Sequence, residues 1–274
     1  MSSYKDIIKK YAKELKGITH IPQKEIEILL LHILNKNIIW LHLNYDKNCE
    51  VEDKLKKLVE KRKTNFPLEY ITKKASFYGE VFEVEQGVLI PRPETEILID
   101  KALEILKDID NPNVIEIGVG SGIISVMLGL LVKDISITAV DINDNALNLA
   151  KKNAIKHKVD NKIDFIKSDL FENIDNKKYD LVVSNPPYIA NDYKLPNNVK
   201  YEPFNALFGG VKGDEILKDI ITQTKNRGIE NLVCEMGYDQ LSSLKSYIQN
   251  NYNCRVLEFY KDFEDFDRGF VAKF

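Results

Sequence analysis

The sequence predicts an α/β fold: a seven-stranded, mostly parallel sheet covered by helices on both faces, preceded by a small helical bundle and a connecting β-hairpin. Three observations predict it. Up to about residue 75, apolar residues recur at three- and four-residue spacing, the period of amphipathic helices. Over residues 76–90 the pattern changes to alternation, the period of a strand. From Asn113 onward, short apolar runs alternate with helical stretches, as they do where crossover helices join parallel strands. The expected divisions are residues 1–75, 76–92 and 93–274.

In the bundle, Ile7, Ile8, Tyr11 and Leu15 share one helical face. Ile26, Leu29, Leu30, Ile33 and Leu34 form a second stripe, with Pro22 at its opening, where a missing N–H costs little. Val51, Leu55, Leu58 and Val59 suggest a third. His20, His32 and His42 fall on different predicted elements and read as surface or packing histidines, not as a metal site. "SFYGEVFEVEQGVLI" (76–90) reads as a hairpin turning at Gln86-Gly87. "PRPETE" (91–96) is a polar corner that opens a helix from Ile97 to Leu106.

Strands are expected at "NVIEIG", "ISITAVD", "KIDFIKSD", "YDLVVSN" and "NLVCEMG". Helices are expected at "IISVMLGLLV", "NALNLAKKNAIKH", "DEILKDIITQTK" and "DQLSSLKSYIQN". Two closing strands, near Arg255–Tyr260 and Gly269–Phe274, follow one another directly and should make an antiparallel hairpin at one edge.

At 274 residues the chain has room for one large domain, or for a catalytic domain with a small partner. A composition 44% hydrophobic and 30% charged argues for a soluble globular protein and against disorder. "MSSYKDIIKKYAKEL" is charged and amphipathic and lacks a secretory h-region. No run approaches the roughly 18 apolar residues of a spanning helix, so a cytoplasmic location and no membrane contact are expected. Cys49, Cys234 and Cys254 form no CxxC pair, which supports neither a disulfide framework nor zinc. Residues 1–75 carry 16 Lys/Arg against 10 Asp/Glu, a net +6, which leaves −9 for the rest. Such a basic front could meet an acidic partner surface or a nucleoprotein. Lysines spread over solvated helix faces are the plainer explanation.

The residues that carry chemistry sit at strand ends. "EIGVGSG" closes the first strand of the sheet, and Gly118, Gly120 and Gly122, with Val119 and Ser121 between them, allow a sharp turn and close ligand approach. The spacing is GxGxG; a dinucleotide fingerprint needs glycine at position 123, which is Ile123. Glu116 could orient this loop or accept from a cationic ligand's amino group. Asp141, followed by Ile142, ends the second strand, where a carboxylate commonly bonds ribose hydroxyls; Asp141 could instead cap the next helix. Asp169 and Leu170 end the third, able to accept from an exocyclic amine and to cover an adenine face. These ends describe a nucleoside ligand without a phosphate to anchor, and S-adenosylmethionine fits. No metal is implied.

The fourth strand runs into "SNPPYIAND" (184–192). A planar amide or base nitrogen is a poor nucleophile, because its lone pair is delocalised. Two acceptors gripping its N–H bonds favour a more tetrahedral nitrogen. The Asn185 side-chain carbonyl and the Pro186 backbone carbonyl could be those acceptors. Pro186 and Pro187 have restricted φ, which fixes the carbonyl direction in advance, and Tyr188 offers a flat face. A purely structural Pro-Pro turn is the alternative.

In order and spacing, "EIGVGSG", "VDIND", "SDLF" and "NPPY" resemble the class I, Rossmann-like S-adenosylmethionine-dependent methyltransferases that modify planar nitrogen. "FPLEYITKKASFYGEVFEVEQGVLIPRPETEILID" (66–100) is narrower. It resembles the protein-(glutamine-N5) methyltransferases that act on peptide chain release factors. With "YEPFNALFGG" (201–210) and "DRGFVAKF", the resemblance covers nearly the whole chain.

It implies a substrate-docking role for residues 1–75, a hairpin linker over 76–92 and the methyltransferase domain over 93–274. S-adenosylmethionine would be bound by Glu116, Gly118 to Gly122, Asp141, Ile142, Asp169, Leu170 and Asn185, and leave as S-adenosylhomocysteine. The substrate glutamine, in a Gly-Gly-Gln motif of the release factor, would meet Asn185, Pro186, Pro187 and Tyr188, with Arg92, Pro93, Glu94 and Thr95 lining the same cleft. Asn185, Pro186 and Tyr188 would be catalytic. A monomer without direct nucleic-acid contact is expected. The family often has tryptophan where this chain has Leu170, so adenine stacking should be weaker, or shared with Phe171. The rival readings are a ribosomal-protein glutamine methyltransferase, a DNA adenine methyltransferase and a non-enzymatic scaffold.

Overall fold

The computed structural model describes residues 2–274. The chain divides into two compact units, Met1–Lys74 with Leu195–Tyr201, and Ala75–Lys194 with Glu202–Phe274.

The smaller unit holds α1 (Tyr4–Glu14), α2 (Pro22–Leu34), α3 (Ile38–Leu43), α4 (Glu52–Lys63) and α5 (Leu68–Thr72). Ser3 caps α1, its hydroxyl oxygen accepting from the Asp6 N–H at 3.2 Å. The expected stripes supply Ile7, Ile8, Tyr11, Leu15, Ile26, Leu29, Leu30, Leu55 and Val59 to a buried core. The two helices absent from the sequence reading, α3 and α5, have only six and five residues, too few to show a helical period. Arg62 donates from Nε and Nη2 to the two carboxylate oxygens of Glu25, at 2.7 and 3.1 Å, in a buried bidentate pair. Tyr201, from the returning segment, donates to the Thr64 carbonyl at 2.9 Å and sets its ring 5.0 Å from Phe66. His32 lies on α2 and His42 on α3. No His/Cys/Asp/Glu group among the described residues is arranged to hold a metal, and no helix among them is long and apolar enough to cross a membrane.

The larger unit opens with a hairpin, β1 (Lys74–Phe77) and β2 (Glu80–Glu83). The turn is at Tyr78-Gly79, both with positive φ, and not at Gln86-Gly87 as the sequence suggested. A two-residue turn of this kind matches strand twist, and here it leaves Phe77 and Phe82 on the buried face. The Gln-Gly pair makes a separate turn further on, closed by the Val88 N–H on the Glu85 carbonyl.

Then follow α6 (Thr95–Leu106), β3 (Asn113–Ile117), α7 (Ile123–Leu131), β4 (Ser136–Asp141), α8 (Asp144–Lys156), β5 (Ile163–Lys167) and β6 (Leu181–Ser184). A small parallel pair, β7 (Ile189–Ala190) and β8 (Phe208–Gly210), lies between β6 and the next helix, where the sequence predicts no strand. The chain closes with α9 (Glu215–Asn226), β9 (Asn231–Glu235), α10 (Leu241–Asn251), β10 (Val256–Lys261) and β11 (Asp267–Lys273). Helix α6 begins at Thr95, two residues before the expected Ile97.

The seven-stranded sheet has the order β10-β11-β9-β6-β3-β4-β5, antiparallel only where β11 meets β9 and β10. Alternate strand residues feed two cores. Val114, Val183 and Val233 join α6 and α7 on one face, while Ile115, Val182 and Leu232 join α9 and α10 on the other. Connections leave β3 toward β4 on one side, whereas β6 returns to its other side. Such a switch point opens a crevice at the carboxyl ends of the strands.

Candidate active site

Strand register brings the predicted residues to one edge. Ile117 pairs with Val140 on β4 and Ser184 on β6, and Ser184 pairs with Cys234 on β9. The next residues along are therefore Asp141, Gly118, Asn185 and Glu235, side by side at the lip of the sheet.

An open cleft lies there. Arg92, Thr95, Glu116, Gly118, Val119, Gly120, Ser121 and Asn185 line it, with Leu89, Ile90, Pro91, Ile123 and Ile124. Gly118, Gly120 and Gly122 all have positive φ, which lets the turn fold without strain. Gly122 also serves packing: a Cβ there would lie 2.9 Å from the Cα of Ala150 on α8. Asn153 ties the same turn to the hairpin, donating to the Ser121 carbonyl at 2.8 Å and accepting from the Glu83 N–H at 2.8 Å.

Asp141 accepts from the Gly120 N–H at 2.9 Å through one carboxylate oxygen and from the Asn143 N–H at 2.9 Å through the other. It thus pins the glycine turn, and each oxygen retains a lone pair. Helix α8 is capped by Asn143, not by Asp141. Burial raises the Asp141 pKa against these amide bonds.

Glu116 is buried and accepts from both the N–H and the hydroxyl of Ser125 through Oε2. Its Oε1 has no partner among the described residues. Burial pushes its pKa up to about 8.

Ile142 is exposed beside Asp141. Asp169 and Leu170 lie one strand further along and do not line the cleft; the Ser168 N–H bonded to the Asp141 carbonyl holds their segment against β4. Leu170 takes a positive φ of 45°. Phe171 cannot share an adenine contact, contrary to the sequence-based expectation. It is buried in the α9–α10 core under Arg227, whose guanidinium sits 5.2 Å from the ring.

Asn185 donates from Nδ2 to Thr95 Oγ1 at 3.0 Å. Its Oδ1 and the Pro186 carbonyl accept no hydrogen bond among the described residues. Beyond them the corner is held on two sides. The Ile189 N–H donates to the Leu207 carbonyl at 2.9 Å, and Gln240 Nε2 donates to the Tyr188 carbonyl at 2.8 Å. Gly209 and Gly213 pack so tightly that a Cβ would come within 2.4 Å of the Pro187 carbonyl oxygen and 2.5 Å of that of Tyr188. Glu94 precedes α6 at its N-cap.

Two acidic residues of this edge went unassigned in the sequence. Glu202 is buried, accepts from the Ile90 N–H at 3.0 Å and neutralises Arg92 at 2.5 Å, fixing one wall of the cleft. Glu235 accepts from the Thr95 hydroxyl at 2.7 Å and the Tyr188 hydroxyl at 3.0 Å. The signal for Glu235 was its place at the end of the apolar run "NLVC"; Glu202, in "YEPF", offered only a quoted motif.

Comparison with known proteins adds to this geometry. Residues 6–72 match the PrmC N-terminal domain, and residues 95–201 the methyltransferase small domain. The release factor glutamine methyltransferase of Fusobacterium nucleatum subsp. nucleatum is 37% identical over 281 residues, covering 98% of this chain and 78% of that protein. That of Dictyoglomus turgidum is 38% identical over 254 residues, covering 89% and 88%. Among solved structures, the human METTL16 catalytic domain in complex with a MAT2A 3′UTR hairpin superposes with a TM-score of 0.59 at 20% identity, covering 70% of this chain and 75% of that one.

Proposed function

The chain belongs to the release factor glutamine methyltransferase family, and on that premise we propose that it methylates the side-chain amide nitrogen of the Gly-Gly-Gln glutamine in a peptide chain release factor. The larger unit has the class I methyltransferase fold. The observation that carries the reading is the Asn185–Pro186 corner. Asn185, which lines the cleft, donates an amide N–H to Thr95, leaving its Oδ1 and the carbonyl of the next residue, Pro186, as two acceptors. A primary amide has two N–H bonds to offer such a pair.

S-adenosylmethionine is the proposed methyl donor, supplying an electrophilic methyl group on a sulfonium. The residues present fit it. The glycine turn admits close approach, Asp141 keeps lone pairs for ribose hydroxyls, and the unpartnered Glu116 oxygen suits an ammonium. Among the described residues, the one cation lining the cleft, Arg92, is neutralised by Glu202, which leaves no free counter-charge among them for a phosphate. Asp169 and Leu170 would reach an adenine from the β5 end.

Asn185 and Pro186 hold the glutamine nitrogen with its lone pair directed at the methyl carbon. S-adenosylmethionine bound there would supply the methyl group to the nitrogen so held, its C–S bond exchanged for the new N–C bond, and would leave as neutral S-adenosylhomocysteine. The alkylated amide is strongly acidic and loses its proton to solvent, so no general base is required. Positioning supplies much of the acceleration, on the order of several kcal/mol. Pro187 and Tyr188 complete the corner, Arg92 and Glu94 flank the glutamine's approach, and residues 1–75 dock the release factor. The enzyme works as a cytoplasmic monomer without nucleic-acid contact.

Replacing Asn185 with alanine tests this. The Asn185→Ala protein should bind S-adenosylhomocysteine within a few-fold of wild type by calorimetry, yet lose about 100-fold or more in kcat on a release factor. Unchanged turnover would contradict the assigned role.

A further inference from the structure

We propose that Glu235, acting through Thr95, is a positioning residue that sets which end of the Asn185 amide faces the substrate. The inference rests on the glutamine-methylation reading above and adds to it the group that makes Asn185 an acceptor. An asparagine amide can be turned over with almost no change of shape, exchanging its oxygen for its NH₂. A site that must grip an N–H therefore needs something to forbid the turned state. The chain Glu235–Thr95–Asn185 does so by hydrogen-bond polarity.

An ionised carboxylate can only accept. Thr95 Oγ1, 2.7 Å from Glu235 Oε2, must then spend its single proton on Glu235. Its lone pair is left for Asn185, 3.0 Å away, and the atom facing it must be the donor Nδ2. Oδ1 is forced to the open side. The second Glu235 oxygen accepts from Tyr188 at 3.0 Å, so one carboxylate orients both ends of the Asn-Pro-Pro-Tyr corner. Burial raises the Glu235 pKa and the Glu94 charge adds to that, while the hydroxyl donors of Thr95 and Tyr188, one on each carboxylate oxygen, and the charge of Arg268 favour the ionised form.

The placement follows from the fold. Glu235 has the same parity as Val233, whose side chain belongs to the α6 face of the sheet. Thr95 is the first residue of α6, and register sets Glu235 beside Asn185. Thr95 and Glu235 are both almost wholly buried, at 0% and 1% exposure. Water therefore cannot replace either partner, and a buried carboxylate without its donors would be strongly disfavoured.

The test uses the full-length protein, a release factor substrate, and three variants. Glu235→Gln keeps the shape but can present an NH₂ to Thr95, which reverses the polarity and turns the Asn185 amide over. Thr95→Val keeps the shape and removes the relay; Thr95→Ser keeps the hydroxyl. Glu235→Gln and Thr95→Val should each lower kcat about 10- to 100-fold. KM for the release factor and the dissociation constant of S-adenosylhomocysteine should stay within about threefold, and Thr95→Ser should keep most of kcat. Wild-type kcat in Thr95→Val, or an equal loss in the Val and Ser variants, would overturn the inference. Should Glu235→Gln fail to fold, the Thr95 pair decides. The wild-type reaction separates the two levels: no labelling of the release factor by wild type strikes the proposed function, whereas normal labelling by both wild type and Thr95→Val strikes only this inference.

Discussion

The Glu116 carboxyl is buried under the first turn of α7, and burial lifts its pKa to about 8, with the nearby Asp141 charge adding to the shift and the Ser125 bonds opposing it. In the unfolded chain it titrates near the ordinary glutamate value of roughly 4.3. Between those values the folded protein holds a proton that the unfolded chain has lost. Its contribution to stability therefore falls as pH rises, by up to about 1.4 kcal/mol per pH unit. Glu116→Gln should flatten that part of the profile, so wild type loses more stability than the variant between roughly pH 5 and 8. Urea unfolding at several pH values checks this; parallel profiles for the two proteins would show that Glu116 is ionised in the fold. The same residue illustrates what a sequence conveys. Its place two residues before the glycine turn was legible, but its free oxygen depends on how α7 returns over β3.

At the scale of elements, the corner after β6 owes its shape to the glycines packed against it. Gly213 has φ +83°, and a Cβ there would lie 2.5 Å from the Tyr188 carbonyl oxygen and 2.8 Å from the Ala190 nitrogen. Gly213→Ala should lower stability by about 1–3 kcal/mol and depress kcat further by displacing the corner. Gly17→Ala is the control, with a similar φ of +81° but nothing within 4 Å of the added atom; it should cost about 1 kcal/mol and leave turnover alone. Thermal melts and initial rates on both variants check the pair.

The long elements were readable because each carries its own period: β3, β4, β6 and β9 as apolar runs, α8 and α9 as amphipathic stripes. The short ones, α3, α5, β7 and β8, carry none. The hairpin turn was misplaced because two X-Gly pairs compete within ten residues, and only the shared burial of Phe77 and Phe82 decides between them. Glu235 illustrates a different limit. It joins Tyr188 across 47 residues and Thr95 across 140, separations that only sheet register and the start of α6 bring together.

For the molecule as a whole, charge and family membership narrow the substrate together. The net +6 lies in residues 1–75, while residues 76–274, which hold the cleft, carry −9; duplex DNA would need the opposite around the catalytic edge. An exchange of partner within the same chemistry, a ribosomal protein in place of a release factor, would leave every residue of the cleft in its role. The choice of protein substrate is therefore made outside the Asn185 corner. The most direct test is methyl transfer from tritiated S-adenosylmethionine, offered in parallel to a release factor, a ribosomal protein and duplex DNA, with the labelled residue located by mass spectrometry. The account predicts label on the release factor, at the glutamine of its Gly-Gly-Gln motif. Label confined to DNA or to the ribosomal protein would contradict it.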